Sequence, residues 1–208
     1  MAKKEYPIHT LQDYLPTGSY EPVLEYLRLY KVHLTITRER STVLGDYRHA
    51  IDKEHHRISV NGNLHPYAFL ITLIHELAHL VTFMQHGNRV MAHGIEWKKL
   101  YAQLLSQFLQ KNIFPADVQN AIQKSMHDLP ASSCADENLQ RVLRKYDESK
   151  NGFVLVEDLP DGARFMIEGG RLFRKGKKLR KRFQCTEIDT RKLFLFSPVY
   201  EVKPVETV

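Results

Sequence analysis

One apolar segment of the chain is interrupted by two histidines and a glutamate that any fold has to satisfy. Residues 67–83 are mostly apolar, but they include His75, Glu76 and His79. A bilayer would penalise these groups heavily, so the segment predicts a buried helix rather than a membrane span. Because unpaired buried polar groups are costly, the two histidines need a partner inside the protein.

The spacing of the two histidines indicates what that partner is. Positions four residues apart on an α-helix differ by about 40° around its axis, so His75 and His79 leave the same face one turn apart. Their imidazoles can therefore bind one Zn²⁺ at about 2.0–2.1 Å each. Glu76 flanks that face and can accept a proton from the attacking water without being a ligand itself. The alternative is a pair of core histidines whose nitrogen atoms bond backbone carbonyls.

A catalytic zinc site needs a third protein ligand. His86 lies about 10 Å beyond His79 along the helix axis, so it is expected on the surface. His93 comes after the helix break at Gly87, which allows the chain to turn and return it to the metal. Glu96 is the carboxylate alternative, and we favour His93.

Two short motifs carry a resemblance to a known family. The string His-Glu-Leu-Ala-His occupies 75–79, and His-Gly-Ile-Glu-Trp begins fourteen residues after the second histidine, at 93–97. These motifs resemble the SprT-like zinc metallopeptidase family, which includes a eukaryotic DNA–protein crosslink protease. The resemblance covers roughly residues 10–125. It implies that His75, His79 and His93 bind one zinc per chain. It also implies that Glu76 is the catalytic base and that Trp97 packs the ligand loop.

The chain is predicted to be α+β and to divide into two regions. Residues 1–128 are expected to form a zincin-like metalloprotease domain with helices packed on a small β-sheet, and residues 129–208 a linker helix and a small basic antiparallel β domain. Helices are predicted at 20–30, 66–85, 96–109, 115–126 and 136–146. Strands are predicted at 32–37 and 57–60, with a turn at 45–48 that enters another strand, and a β meander at 153–196. A linker is expected at 128–133.

The cysteines bear on the second region and on the compartment. Several relatives carry a zinc ribbon with paired cysteines, but this chain has only Cys134 and Cys185 and no Cys-x-x-Cys. The second region therefore resembles a ribbon without its metal, and both cysteines are read as ordinary thiols. Their scarcity excludes a disulfide framework and fits a reducing compartment. The absence of an apolar N-terminal stretch argues against a signal peptide, so a cytoplasmic location is expected.

The formal net charge of +6 is mild, but the charge is unevenly distributed. Residues 171–182, called the basic run below, contain no acidic residue and include Phe173, with Phe183 just beyond. A hairpin of this kind could follow a phosphate backbone and stack bases, with single-stranded or damaged DNA as the partner. The alternative is a solvated hairpin whose aromatic rings face a small core. The candidate nucleic-acid contacts are Arg174, Lys175, Lys177, Lys178, Arg180, Lys181 and Arg182.

Two further features have both a functional and a structural interpretation. The strand Arg57–Val60 precedes the zinc helix and could pair with an extended substrate, or it could be an interior strand. Tyr47, Arg48 and Tyr101 could stabilise the oxyanion of a tetrahedral intermediate, although each is expected to be structural.

Together these features predict a zinc-dependent endopeptidase that cleaves protein substrates, with DNA-associated or DNA-crosslinked proteins as candidates. One alternative is a non-enzymatic nucleic-acid-binding protein with a structural zinc. Another is a zinc hydrolase acting on small amides. A structural zinc site has no need of a carboxylate beside its first ligand, so Glu76 favours the enzyme.

Overall fold

The computed structural model describes residues 8–40, 43–50, 55–127, 129, 136–148 and 152–205. The chain divides into two compact units, Met1–Tyr146 and Asp147–Val208. Helices and strands occur together in the first unit, which confirms the predicted α+β class. Cys134 and all of the predicted linker except Leu129 lie outside the described residues.

The first unit contains most of the helices. A 3₁₀ helix at Ile8–Tyr14 comes first, and another at Arg144–Tyr146 ends the unit. Between them are helices α1 (Tyr20–Leu29), α2 (Pro66–His86), α3 (Ile95–Leu109), α4 (Ala116–Ser125) and α5 (Glu137–Leu143), and strands β1 (Val32–Thr37), β2 (Gly45–Arg48) and β3 (His56–Asn61).

The sheet of the first unit has the order β1-β3-β2. Strand β3 pairs parallel with β1, and it pairs antiparallel with β2 so that Gly45 lies opposite Val60. The segment 57–60 is therefore the interior strand, and its interpretation as a substrate-pairing edge is wrong. The edges are β1 and β2, and β2 occupies 45–48, where the sequence predicted a turn. The Gly-Asp pair suggested that turn, but pairing with β3 holds these residues extended.

Helix α2 is the centre of the first core. His65 caps its start by accepting a hydrogen bond from the amide of Ala68, and Pro66 occupies the first turn. It ends at Gly87, whose φ of 59° is in the left-handed region that favours glycine. Although α2 is long and apolar enough to cross a membrane, 72% of its apolar window is buried inside the protein. Packing inside the fold thus accounts for its apolar composition.

Helices α3, α4 and α5 cover the other side of this core. On α3, the buried residues recur at helical spacing, as predicted: Trp97, Tyr101, Leu104, Leu105 and Phe108. Leu139 and Leu143 of α5 pack into the same core, and Asp117 of α4 accepts a 2.6 Å hydrogen bond from Tyr146. The structure therefore places α5 with the first unit, although the sequence placed it in the second region.

The second unit is an antiparallel meander with its own core. Its strands are β4 (Val154–Leu155), β5 (Arg164–Met166), β6 (Leu172–Leu179), β7 (Arg182–Glu187), β8 (Leu193–Phe196) and β9 (Glu201–Val205), in the order β4-β9-β5-β6-β7-β8. Phe165, Phe173, Cys185 and Val202 are fully buried in it. An irregularity between Lys175 and Lys178 shifts the register of β6 against β7.

Candidate metal centre

Three histidine side chains converge on one point in the first unit. The Nε2 atoms of His75 and His79 are 3.2 Å apart, those of His79 and His93 are 2.9 Å apart, and those of His93 and His75 are 3.2 Å apart. Within the described part of the chain, they form a cluster that could hold a metal ion. The residues selected from the sequence as ligands are thus brought together, and their role as ligands stays a prediction.

Local structure explains how a loop residue joins two helical ones. His75 and His79 lie one turn apart on α2, as their spacing requires. The chain leaves the helix at Gly87 and returns at His93, which itself has a positive φ of 61°. The amide of Gly94 donates to the carbonyl of Met91 at 2.9 Å, and α3 begins directly afterwards. This tight turn directs the imidazole of His93 back towards α2.

The geometry of the three nitrogen atoms fits a tetrahedral metal. Zn–N bonds of about 2.0–2.1 Å at tetrahedral angles place neighbouring nitrogens about 3.3 Å apart. The observed separations of 2.9–3.2 Å are close to this value. Hydrogen bonds among the imidazoles cannot satisfy the cluster, since a neutral ring has a single N–H to donate. A cation at the common point satisfies all three nitrogens.

The protonation of the cluster favours metal binding. Burial, together with the neighbouring His79 and His93, lowers the pKa of His75 to about 3. Burial and His93 lower the pKa of His79 to about 4, and burial also lowers the pKa of His93. All three imidazoles are therefore neutral near pH 7, and the neutral form is the one that coordinates a metal.

The ring of Trp97 packs against all three histidine rings of the cluster. It is fully buried, and its ring centroid lies 4.7 Å from that of His75, 5.2 Å from that of His79 and 4.7 Å from that of His93. The packing role expected for this aromatic residue matches that position. The Nδ1 atom of His75 and the Nε1 atom of Trp97 are buried without a hydrogen-bond partner in the described structure.

Glu76 follows His75 on α2, and its carboxyl group has no hydrogen-bond partner among the described residues. Its side chain is only 6% exposed and lies against Gly45 of the edge strand β2. Burial and the nearby Asp46 raise the pKa of Glu76 to about 8, while Arg40 opposes the shift. A carboxyl in this environment readily accepts and holds a proton.

The remaining first-unit candidates differ in their surroundings. Glu96 and His86 do not belong to the histidine cluster. Tyr47 bonds the Nδ1 atom of His56 through its hydroxyl, at 2.9 Å, and Arg48 is exposed and pairs with Asp46 at 2.8 Å. Tyr101 is buried, with its ring 5.4 Å from that of His75. The structure thus gives Tyr47 and Arg48 structural partners and leaves Tyr101 beside a candidate ligand.

In the second unit, the basic run contains all of β6, the turn after it and Arg182, the first residue of β7. Arg174, Lys177, Lys178, Arg180, Lys181 and Arg182 are exposed. Lys175 is not, because its ammonium group donates hydrogen bonds to the carbonyl oxygens of Glu157 and Leu159. Its selection as a nucleic-acid contact is therefore wrong. Phe173 and Phe183 are buried in the core, so neither can stack on bases.

Comparison with known proteins gives one family. The model of the SprT-like family matches residues 23–120, a stretch that contains β1 to β3, α2, α3 and all three histidines. Neither the comparison with curated proteins nor that with solved structures finds a match.

Proposed function

Residues 23–120 belong to the SprT-like family, and from this premise we propose that the chain is a zinc-dependent endopeptidase that cleaves protein substrates. The family supports a function of the SprT metallopeptidase type. The observation that carries the proposal is the convergence of His75, His79 and His93 at the helix that also carries Glu76, whose buried carboxyl has no hydrogen-bond partner in the described structure. A zincin-type fold agrees with the central helix and its flanking edge strand.

The chemistry follows from what each side chain can do. The three imidazoles can hold a metal ion and leave its remaining position open, as catalytic zinc sites do. A zinc ion bound there would polarise the scissile carbonyl. In its ionised form Glu76 can accept the proton of the attacking water and later deliver it to the leaving amine, and a bound cation would lower the raised pKa of Glu76 towards that form. Trp97 keeps the three rings in place by packing against them.

The position of β2 at an edge of the sheet supports the proposal that the substrate is a peptide. It pairs with β3 on one side, and no described strand pairs with its other side. Main-chain hydrogen bonds along such an edge bind an extended peptide with little dependence on its side chains. Gly45 of this strand touches the Glu76 side chain, so a peptide added there would pass the carboxylate. We infer a preference for extended or unfolded segments over particular sequences.

The second unit supports a role for nucleic acid. Its six exposed arginines and lysines within residues 174–182 could bind a phosphate backbone. Binding of enzyme and substrate to the same DNA would raise their effective concentration. We therefore propose DNA-associated or DNA-crosslinked proteins as substrates, and single-stranded or damaged DNA as the trigger. The cytoplasmic location stays a prediction from the cysteine content.

A gel time course with wild type and Glu76→Gln tests the proposal. Both proteins should hold about one zinc, because the substitution changes no ligand. Cleavage of casein and self-cleavage should fall by at least about 100-fold in Glu76→Gln, since an amide cannot accept the proton. Equal cleavage by the two proteins would refute the catalytic assignment. Parallel reactions with single-stranded DNA test the trigger, and identical rates with and without DNA would remove it.

The non-enzymatic alternative gives a different result in the same experiment. A structural zinc predicts zinc in both proteins and no cleavage by either. The small-amide alternative predicts hydrolysis of short peptide amides by wild type and none of casein.

A further inference from the structure

Gly45 occupies a position where a side chain would collide with Glu76. A Cβ atom built at Gly45 would lie 2.5 Å from Oε1 and 2.8 Å from Cγ of Glu76, and 2.9 Å from Cγ2 of Thr72. All three distances are shorter than real Cβ contacts allow. Gly45 is not among the glycines with a positive φ, so the requirement is one of space and not of backbone conformation.

The position of Gly45 is itself fixed by a buried network. Asn61, at the end of β3, is 1% exposed, and its side-chain amide donates to the carbonyls of Arg40 and Val43 at 3.1 Å each. Its Oδ1 atom accepts from Nε of Arg40 at 2.8 Å, and its backbone amide donates to Leu44 at 2.9 Å. The residues directly before Gly45 are thereby tied to the interior strand. The edge strand cannot easily move away from α2.

We propose that Gly45 is a positioning residue for Glu76, because the absence of its side chain leaves the space in which the carboxylate lies beside the histidine cluster. The catalytic consequence of this inference rests on the proposed peptidase function. The placement of the Glu76 side chain by Gly45 does not depend on that function. Glu76 has no hydrogen-bond partner in the described structure that would fix its carboxylate. The backbone of β2 on one side and α2 on the other therefore set where it lies.

The consequence of adding one methyl group follows from these contacts. Since Asn61 holds the strand, Gly45→Ala should displace the Glu76 side chain instead of the backbone. A displacement on the order of 1 Å is enough to impair a reacting group strongly. Zinc binding should survive, because none of the three histidines is among the atoms nearest to the added methyl. Gly45→Ala should thus lower the rate of catalysis and leave the zinc content unchanged.

A matched control exists at the end of the same sheet, where Gly62 directly follows β3. A Cβ atom at Gly62 would lie 2.7 Å from Cγ2 of Ile36 and 3.3 Å from the carbonyl oxygen of Thr37, and Glu76 is not among its nearest neighbours. Gly62→Ala therefore introduces comparable crowding in the first unit without touching the carboxylate. It separates a general loss of stability from a specific effect on Glu76.

The first test is a double-mutant cycle that needs no activity. Urea unfolding of the zinc-loaded full chain, followed by the fluorescence of its single tryptophan, gives midpoints for wild type, Gly45→Ala, Glu76→Ala and the double variant. Gly45→Ala should lower the midpoint clearly in wild type and by less than about half as much when Glu76 is shortened, because contacting pairs are not additive. Equal shifts in both backgrounds would overturn the proposal. Gly62→Ala should shift the midpoint equally in both backgrounds.

The second test measures catalysis with fluorescein-labelled casein. Gly45→Ala should lower kcat by about 10-fold or more with KM nearly unchanged, and Gly62→Ala should keep kcat within about 2-fold. In a Glu76→Asp background, whose carboxylate is one methylene shorter, Gly45→Ala should cost less than about 3-fold. A normal kcat for Gly45→Ala would overturn the positioning role. If wild type itself does not cleave casein, the peptidase proposal fails, and the unfolding cycle still decides whether Gly45 sets the place of Glu76.

Discussion

Lys175 and Lys177 lie two residues apart on β6, yet the structure gives them opposite roles. The ammonium group of Lys175 donates to the carbonyl oxygens of Glu157, at 3.1 Å, and Leu159, and it lies 4.2 Å from the centre of the Phe183 ring. Lys177 is exposed. Lys175→Met keeps most of the aliphatic stem and removes the ammonium group. It therefore isolates the contribution of these polar contacts to the stability of the second unit.

The two hydrogen bonds set the expected magnitude. A hydrogen bond from a charged group contributes about 1.5–3 kcal/mol net, so the lower end of that range for two bonds gives about 3 kcal/mol. We expect Lys175→Met to lower the free energy of unfolding of the second unit by about this amount. Opened molecules should become on the order of 100-fold more frequent. Lys177→Met should change the stability by less than about 0.5 kcal/mol, as exposed substitutions usually do.

Cys185 provides the assay, because it is fully buried in the core of the second unit. In a Cys134→Ser background, a thiol reagent can react with Cys185 only after this unit opens. The labelling rate of Lys175→Met should rise on the order of 100-fold, and that of Lys177→Met should stay within about 2-fold of the parent. An unchanged labelling rate in Lys175→Met would refute the structural role of its ammonium group.

The same two variants also test the nucleic-acid proposal. Replacing an exposed phosphate contact should reduce the log–log salt slope of DNA binding by about 0.7–0.9. Lys177→Met should show this reduction in fluorescence anisotropy titrations, whereas folded Lys175→Met should not. Unchanged slopes in both would mean that residue 177 is a solvated surface residue.

Three further outcomes are expected. His93→Ala should lose the zinc and His86→Ala should keep about one per chain in elemental analysis, and full zinc in His93→Ala would exclude it as third ligand. Asn61→Ala removes the side-chain bonds to Arg40 and Val43, so urea unfolding of the first unit should show a loss of about 3 kcal/mol; an unchanged midpoint would contradict this. The hydrogen bond from Arg171 lowers the pKa of Glu187 below its ordinary 4.5, so its stabilisation is complete above that value and is lost as the pH falls through the lowered pKa. Arg171→Met should flatten this acid dependence of second-unit melting, and an equally steep dependence would contradict it.

The parts of the site that sequence could predict depend on local spacing. A separation of four residues puts His75 and His79 on one face of any α-helix, and the glycine break after His86 allows the chain to return. The long apolar segment predicts that the helix is internal, and the structure confirms its burial. These inferences hold because helix geometry is the same in every fold.

The parts that sequence could not predict depend on pairing between distant segments. The order of three short strands is not encoded in their own periodicity, so nothing local shows that β3 is interior and that β1 and β2 are the edges. The contact between Gly45 and Glu76 joins residues that are 31 positions apart. Gly45 therefore read as a turn residue, since glycine at a turn and glycine at a close approach have the same sequence signature.

Lys175 is different, because a signal for its burial was present in the sequence. Side chains two residues apart on a strand share a face, and Lys175 is two residues from Phe173, which any small β core would bury. Because positive charge is so dense in the basic run, all of its arginines and lysines were predicted to be exposed, and the alternation of the two strand faces was given less weight. The irregularity after Lys175 then ends the alternation, so that Lys177 and Lys178 are both exposed. When a run of basic residues lies on a strand, those that are an even number of positions from a buried aromatic residue share its buried face. They therefore have to be set apart before the others are counted as contacts to a phosphate backbone.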